Sequence, residues 1–169
     1  RQEQANAKNQ VKNRLRFQSF DDSFIPQEQY AYLMDAAESH PSVSNYAMGV
    51  SAMVALDDGK LLVLEREFLV TSSKIGSFVE NKIYCVDPVK SMTISQEKAL
   101  DTDSPYMQKT LIATWKTSLG LLRQNLANYE GMCLGPRLAD GSQVIVLCAD
   151  SQDQYGGVLR DWFRTIIIR

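Results

Sequence analysis

Gly49-Val-Ser-Ala-Met-Val-Ala-Leu-Asp-Asp-Gly-Lys-Leu-Leu-Val-Leu-Glu-Arg-Glu67 is the stretch that decides the fold of this chain. Two apolar runs, Gly49 to Leu56 and Leu61 to Leu64, are separated by Asp57-Asp58-Gly59-Lys60. Gly at such a turn supplies the positive φ that a tight hairpin needs, so the runs predict two antiparallel strands. The unbroken Leu61-Leu62-Val63-Leu64 predicts a strand covered on both faces, ending abruptly at Glu65-Arg66-Glu67. The pattern returns later in the chain. Tyr129 to Gly135, an Asp140-Gly141 turn, Val144 to Ala149 and then Asp150-Ser151 repeat strand, turn, strand, acid. The turns at Asp58 and Asp140 stand 82 residues apart, about two steps of a repeat of the propeller-blade size, or one blade with a long insertion.

Outward from this core, residues 1–10 read as a polar loop or linker. Val11 to Phe20 alternates at strand period, Asp21-Asp22-Ser23 signals a turn, and Gln29 to Met34 is a second strand. Residues 35–45 read as a loop, as does the Ser- and Gly-containing stretch Thr71 to Glu80. Lys82 to Val86 and Thr110 to Trp115 are strands, with 91–108 as a long excursion between them. Leu119, Leu122 and Leu126 have helical spacing, which predicts a short helix over 118–128. Trp162 to Ile168 is the last strand. A second echo links Asn13-Arg14-Leu15…Phe20-Asp21 with Asn81-Lys82-Ile83…Val86-Asp87.

The strand count is two, then four, then three. Four antiparallel strands per blade is the propeller rule, so the expected class is all-β and propeller-like, with several four-stranded blades. On that count residues 1–169 are the C-terminal portion of one propeller domain. Upstream strands, or a second chain, are expected to cover edges that would otherwise lie open.

The composition sets bounds on function. The chain has 169 residues, 44% of them hydrophobic, and a net charge of -2. That supports a sizeable core and argues against a nucleic-acid partner, whose binders are usually basic. No apolar run approaches the ~20 residues of a membrane helix. Cys85, Cys133 and Cys148 each lie in an apolar run, so all three are expected to be reduced and buried. A Cys133–Cys148 disulfide is the fallback for an exported protein. Ser51, Ser72, Ser73 and Ser151 lie outside any Gly-x-Ser-x-Gly elbow, which argues against a serine nucleophile. His40, the one histidine, reads as a solvated loop residue. Tyr155, Trp162 and Phe163 are candidates to line a ligand cleft, but aromatics at strand spacing read first as core.

The 49–67 stretch resembles a characteristic block of the phytase-like esterase family. So does Asn128-Tyr-Glu-Gly-Met-Cys-Leu-Gly-Pro-Arg-Leu-Ala-Asp-Gly141, with Asn81 to Asp87, Asn13 to Asp21 and Tyr30 to Asp35 fitting between and before. The resemblance covers nearly the whole chain and corresponds to the C-terminal half of the family's domain. It implies a β-propeller, esterase or phosphoesterase activity on a small-molecule phosphate or carboxylic ester, and a bacterial, periplasmic or extracellular location.

Three acids are the candidate catalytic and metal-binding residues. Glu65 and Asp150 follow apolar strands, and Glu130 begins one. Acids brought to one end of successive blades can share a Ca²⁺, which takes oxygen ligands and can polarise an ester. Arg66 and Arg137 are the candidate substrate-binding cations, or simply the acids' ion-pair partners. Two other readings stay open: a non-catalytic propeller used for binding, and a metal-dependent lactonase-like hydrolase.

Overall fold

The computed structural model describes residues 13–37, 43–122, 124–152, 157 and 159–169. Nine strands follow in order: β1 Arg14–Phe20, β2 Pro26–Leu33, β3 Asn45–Ala55, β4 Leu61–Val70, β5 Phe78–Val86, β6 Lys109–Ser118, β7 Tyr129–Arg137, β8 Gln143–Ala149 and β9 Phe163–Ile168. They form three antiparallel sheets in simple sequence order, β1-β2, β3-β4-β5-β6 and β7-β8-β9. The fold is all-β, and its small successive sheets are compatible with part of a propeller-like fold. Residues 1–12, His40 and Tyr155 lie outside the described residues.

The repeat seen in the sequence is physical. In the β3–β4 turn, Leu56 N–H bonds to Lys60 O and Gly59 N–H to Leu56 O. In the β7–β8 turn, Leu138 N–H bonds to Ser142 O and Gly141 N–H to Leu138 O. The pattern is the same at the same 82-residue offset. Each turn's Asp also accepts a backbone N–H two residues on, from Lys60 and from Ser142. Gly59 and Gly141 have φ of 81° and 86°, the left-handed region that a Cβ disfavours.

The middle sheet is buried on both faces because its neighbours stack on it. Val63, Val86 and Met48 pack against Leu15, Phe17, Tyr32 and Met34 of the first sheet. Leu62, Leu64 and Ile83 pack against Tyr129, Ile145 and Leu147 of the third. Alternate residues of β4 thus serve two cores, as side chains on a strand alternate in direction. Each such aliphatic side chain contributes on the order of 1.5–3 kcal/mol when fully buried. The second and third sheets approach most closely at β3 and β7, their first strands.

Several expectations need correction. β4 does not stop at Leu64. It runs on through Glu65 and Glu67, both buried, to Val70, so the loop before β5 is only 71–77. The strand continues because its charges find partners on either side, described below. The helix expected over 118–128 is absent among the described residues of that stretch. Ser118 ends β6, Leu119 bridges back to Gln124, and Leu121 and Leu122 point to solvent while Leu126 enters the core. Cys133 and Cys148 are exposed, free thiols, and Cys85 is half-buried. They sit on the alternate face of β7 and β8, the one turned away from the middle sheet, and Cys133 is opposite Val146 rather than Cys148. Trp162 and Phe163 are exposed, not core. The 91–108 excursion lies along the first sheet: Thr93 and Tyr106 bridge to Tyr30 and Ala31, and Arg16 donates to the carbonyls of Ser95 and Lys98.

Candidate functional site

Glu65 and Arg66 are neighbours on β4 and therefore face opposite ways. Glu65 turns toward the first sheet, where only 2% of its surface is exposed. Its carboxylate accepts from Tyr32 Oη (2.5 Å), Lys109 Nζ (2.6 Å) and Asp35 N–H (3.0 Å). Asp35 in turn takes Lys109 Nζ, Lys82 Nζ and Tyr84 Oη, each at 2.7 Å. The network thus pairs two carboxylates with two ammonium groups and two phenols. Burial opposes ionisation of Asp35, but the hydrogen bonds from Lys109, Lys82 and Tyr84 outweigh it and hold its pKa below the ordinary carboxylate range. Burial and the adjacent Glu65 push the Tyr32 phenol up, and burial with the Asp35 hydrogen bond does the same for Tyr84.

Arg66 turns the other way, toward the third sheet. Its Nη1 donates to both Asn128 Oδ1 and Glu130 Oε1, and Asn128 Nδ2 donates to the same Glu130 oxygen at 2.8 Å. Burial lowers the Arg66 pKa, and the Glu130 carboxylate opposes that shift. Glu130 is aimed here by a β-bulge. Tyr129 pairs with Ala149 and Gly131 with Cys148, so Glu130 is an extra residue in β7. Such a bulge re-aims a side chain, and bulges are over-represented beside active sites. β3 carries a register shift as well, between Val50 and Ala52, and its extra residue Ser51 donates to Tyr129 O at 3.1 Å. The Glu130 side chain is about one-third exposed, whereas Arg66 is mostly enclosed.

The five candidates from the sequence are thus divided. Arg66 and Glu130 meet. Glu65 lies on the opposite face of the middle sheet from both. Asp150 is near Glu130 through the backbone, its N–H bonding to Asn128 O, but its own carboxylate caps Gln152 N–H and the residue is exposed. Arg137 is at the far end of β7, paired with Asp57 at 2.8 Å on the surface. The repeat also fails to equate Glu65 with Asp150, because the 82-residue offset carries Glu65 onto Leu147.

Nor do the three acids fit one shared calcium. The Glu65 oxygens face donors, Glu130 Oε1 is taken by Arg66 and Asn128, and among the described residues no three His, Cys, Asp or Glu side chains come together to hold a metal. Asp35, Lys82, Lys109 and Asn128 were not singled out in the sequence. Two of them carried a signal of position: Asn128 opens the Asn-Tyr-Glu-Gly block, and Asp35 ends the Tyr30-to-Asp35 stretch of the resemblance. Two open clefts of about 930 and 900 Å³ flank the other end of the middle sheet, near Lys60, Cys85 and Ile112, and neither reaches Arg66 or Glu130.

Among the described residues no helix is long and apolar enough to cross a membrane. The stacked small antiparallel sheets define the class as all-β, compatible with part of a propeller-like fold. A family model, phytase-like and described as esterase-like activity of phytase, matches residues 1–152. The chain belongs to that phytase-like family. Comparison with curated proteins and with solved structures gave no match.

Proposed function

We propose that the chain is part of a hydrolase acting on the ester bond of a small-molecule phosphate or carboxylic ester, and that Arg66, Asn128 and Glu130 form its working site. One observation carries the reading: the two most distinctive sequence blocks, Leu64-Glu65-Arg66 and Asn128-Tyr129-Glu130-Gly131, meet side chain to side chain between two sheets. Both bonds to Glu130 fall on Oε1. Oε2 is the atom proposed to take a proton from an attacking water, the general-base role of a carboxylate. Arg66 and Asn128 keep that carboxylate oriented. The proposed setting is the C-terminal portion of a propeller domain in a periplasmic or extracellular protein.

The test is hydrolysis of p-nitrophenyl acetate, p-nitrophenyl phosphate and a simple lactone by the full-length protein. Each is run in chelator and in added Ca²⁺. Turnover of one ester is the expected result. Absence of turnover on all three under every condition overturns the reading in favour of a binding propeller. The trio of acids does not place a cation, so activity lost to chelator and regained with Ca²⁺ is the result that would assign one.

A further inference from the structure

Behind Arg66 lies a row of buried polar atoms without partners. Arg66 pairs with Asn81 across β4 and β5, and Asn81 pairs with Trp115 across β5 and β6, with no register shift at these positions. The three side chains share the face turned toward the third sheet, where Arg66 meets Glu130 and Trp115 packs edge-on against Tyr129 with ring centroids 5.5 Å apart. Directly opposed residues on a sheet have Cβ atoms about 5 Å apart, so Asn81 stands beside both Arg66 and Trp115, in the middle of the row.

Among the described residues, four buried side-chain atoms have no hydrogen-bond partner, and three of them are in this row: Arg66 Nε, Asn81 Oδ1 and Trp115 Nε1. The fourth is Asn13 Oδ1. Asn81 is wholly buried, and its amide Nδ2 reaches only Val79 O, at 3.5 Å.

Native proteins rarely leave such groups unpaired. The set here is two N–H donors and one carbonyl acceptor. A single water accepts two hydrogen bonds and donates two, so it can take Arg66 Nε–H and Trp115 Nε1–H and give one O–H to Asn81 Oδ1. We propose that Arg66, Asn81 and Trp115 form a structural water site between the second and third sheets. Through that water Asn81 and Trp115 act as positioning residues for Arg66: they fix its Nε side, which aims Nη1 at Asn128 and Glu130. The water site stands apart from any activity. Only its catalytic relevance rests on the reading of Arg66 and Glu130 given above.

The experiment is NMR of the protein labelled with ¹⁵N at the tryptophan indole and the arginine Nε. Trp115→Phe and Arg66→Lys assign the two signals by their loss. The expected result is that both N–H groups exchange slowly with solvent yet show cross-peaks to a long-lived water. Asn81→Leu, close in shape but lacking Oδ1, is expected to shift both signals and abolish those cross-peaks. Folded wild-type protein without water cross-peaks at these two N–H groups overturns the site, whether or not the Leu variant folds. So does a folded Asn81→Leu protein in which both signals are unmoved.

Discussion

At the scale of the residue, burial and partners decide which groups react and which titrate. Cys133 and Cys148 are exposed, while burial pushes the Cys85 thiol up. The thiolate is the reactive form, so a maleimide or disulfide reagent at neutral pH is expected to modify Cys133 and Cys148 quickly and Cys85 slowly. Mass spectrometry of the labelled peptides measures this, and fast labelling at Cys85 alone would contradict it.

Asp35 sets a pH limit in the same way. Its pKa is lowered in the folded state, so its stabilising contribution is present above the unfolded carboxylate value near pH 4 and is lost as pH falls through the folded value. Tyr32 and Tyr84 have raised values, so their contribution is present below about pH 10 and lost above it. Denaturant titration is expected to show a plateau between those limits. Asp35→Asn is expected to lower the plateau and flatten the acid limb. An acid limb as steep as in the wild type would show that Asp35 does not set it. None of this was readable from the sequence, because Asp35, Glu65 and Lys109 are separated by tens of residues and are joined only by strand pairing within the middle sheet and the stacking of the first sheet on it.

At the scale of the element, the hairpin turns were legible because their signals are local: Asp58-Gly59 and Asp140-Gly141 carry their own geometry. The end of β4 was not. A run of apolar residues halted by Glu-Arg-Glu reads as a strand leaving the core, but here Glu65 meets the first sheet, Arg66 meets the third, Glu67 accepts from Tyr46 of the neighbouring strand, and the strand stays buried. The bulge at Glu130 was equally hidden, since only the register against β8 reveals the extra residue.

That register also makes two glycines of β7 unequal. A Cβ at Gly135 meets Val144 Cγ1 at 3.0 Å, Val144 Cβ at 3.2 Å and Val146 Cγ2 at 3.2 Å, on β-branched side chains with little freedom to rotate. A Cβ at Gly131 overlaps the Cys148 Sγ, an exposed atom that can swing aside. Gly135→Ala is therefore expected to destabilise by about 1–3 kcal/mol, and Gly131→Ala by less. Chemical denaturation of both variants checks the order. A Gly131→Ala penalty larger than that of Gly135→Ala would contradict it.

At the scale of the whole molecule, the two-four-three partition of strands was visible in advance, because each sheet is built from consecutive strands and each strand announces itself. The seams between sheets were not. Arg66 meets Asn128 and Glu130 across separations of 62 and 64 residues, and no spacing rule connects positions brought together by the stacking of two sheets. The seam between the second and third sheets is therefore where the account is most exposed. It holds a carboxylate aimed by a bulge, an arginine enclosed between cores, and the meeting of two stretches on which the family resemblance was read. The direct measurement is turnover of the preferred p-nitrophenyl ester by Glu130→Gln in the full-length protein, with circular dichroism and thermal unfolding run alongside. The account predicts a folded protein whose kcat falls by roughly 10²–10⁴, the usual worth of a general base. A folded Glu130→Gln protein that turns over like the wild type would contradict it.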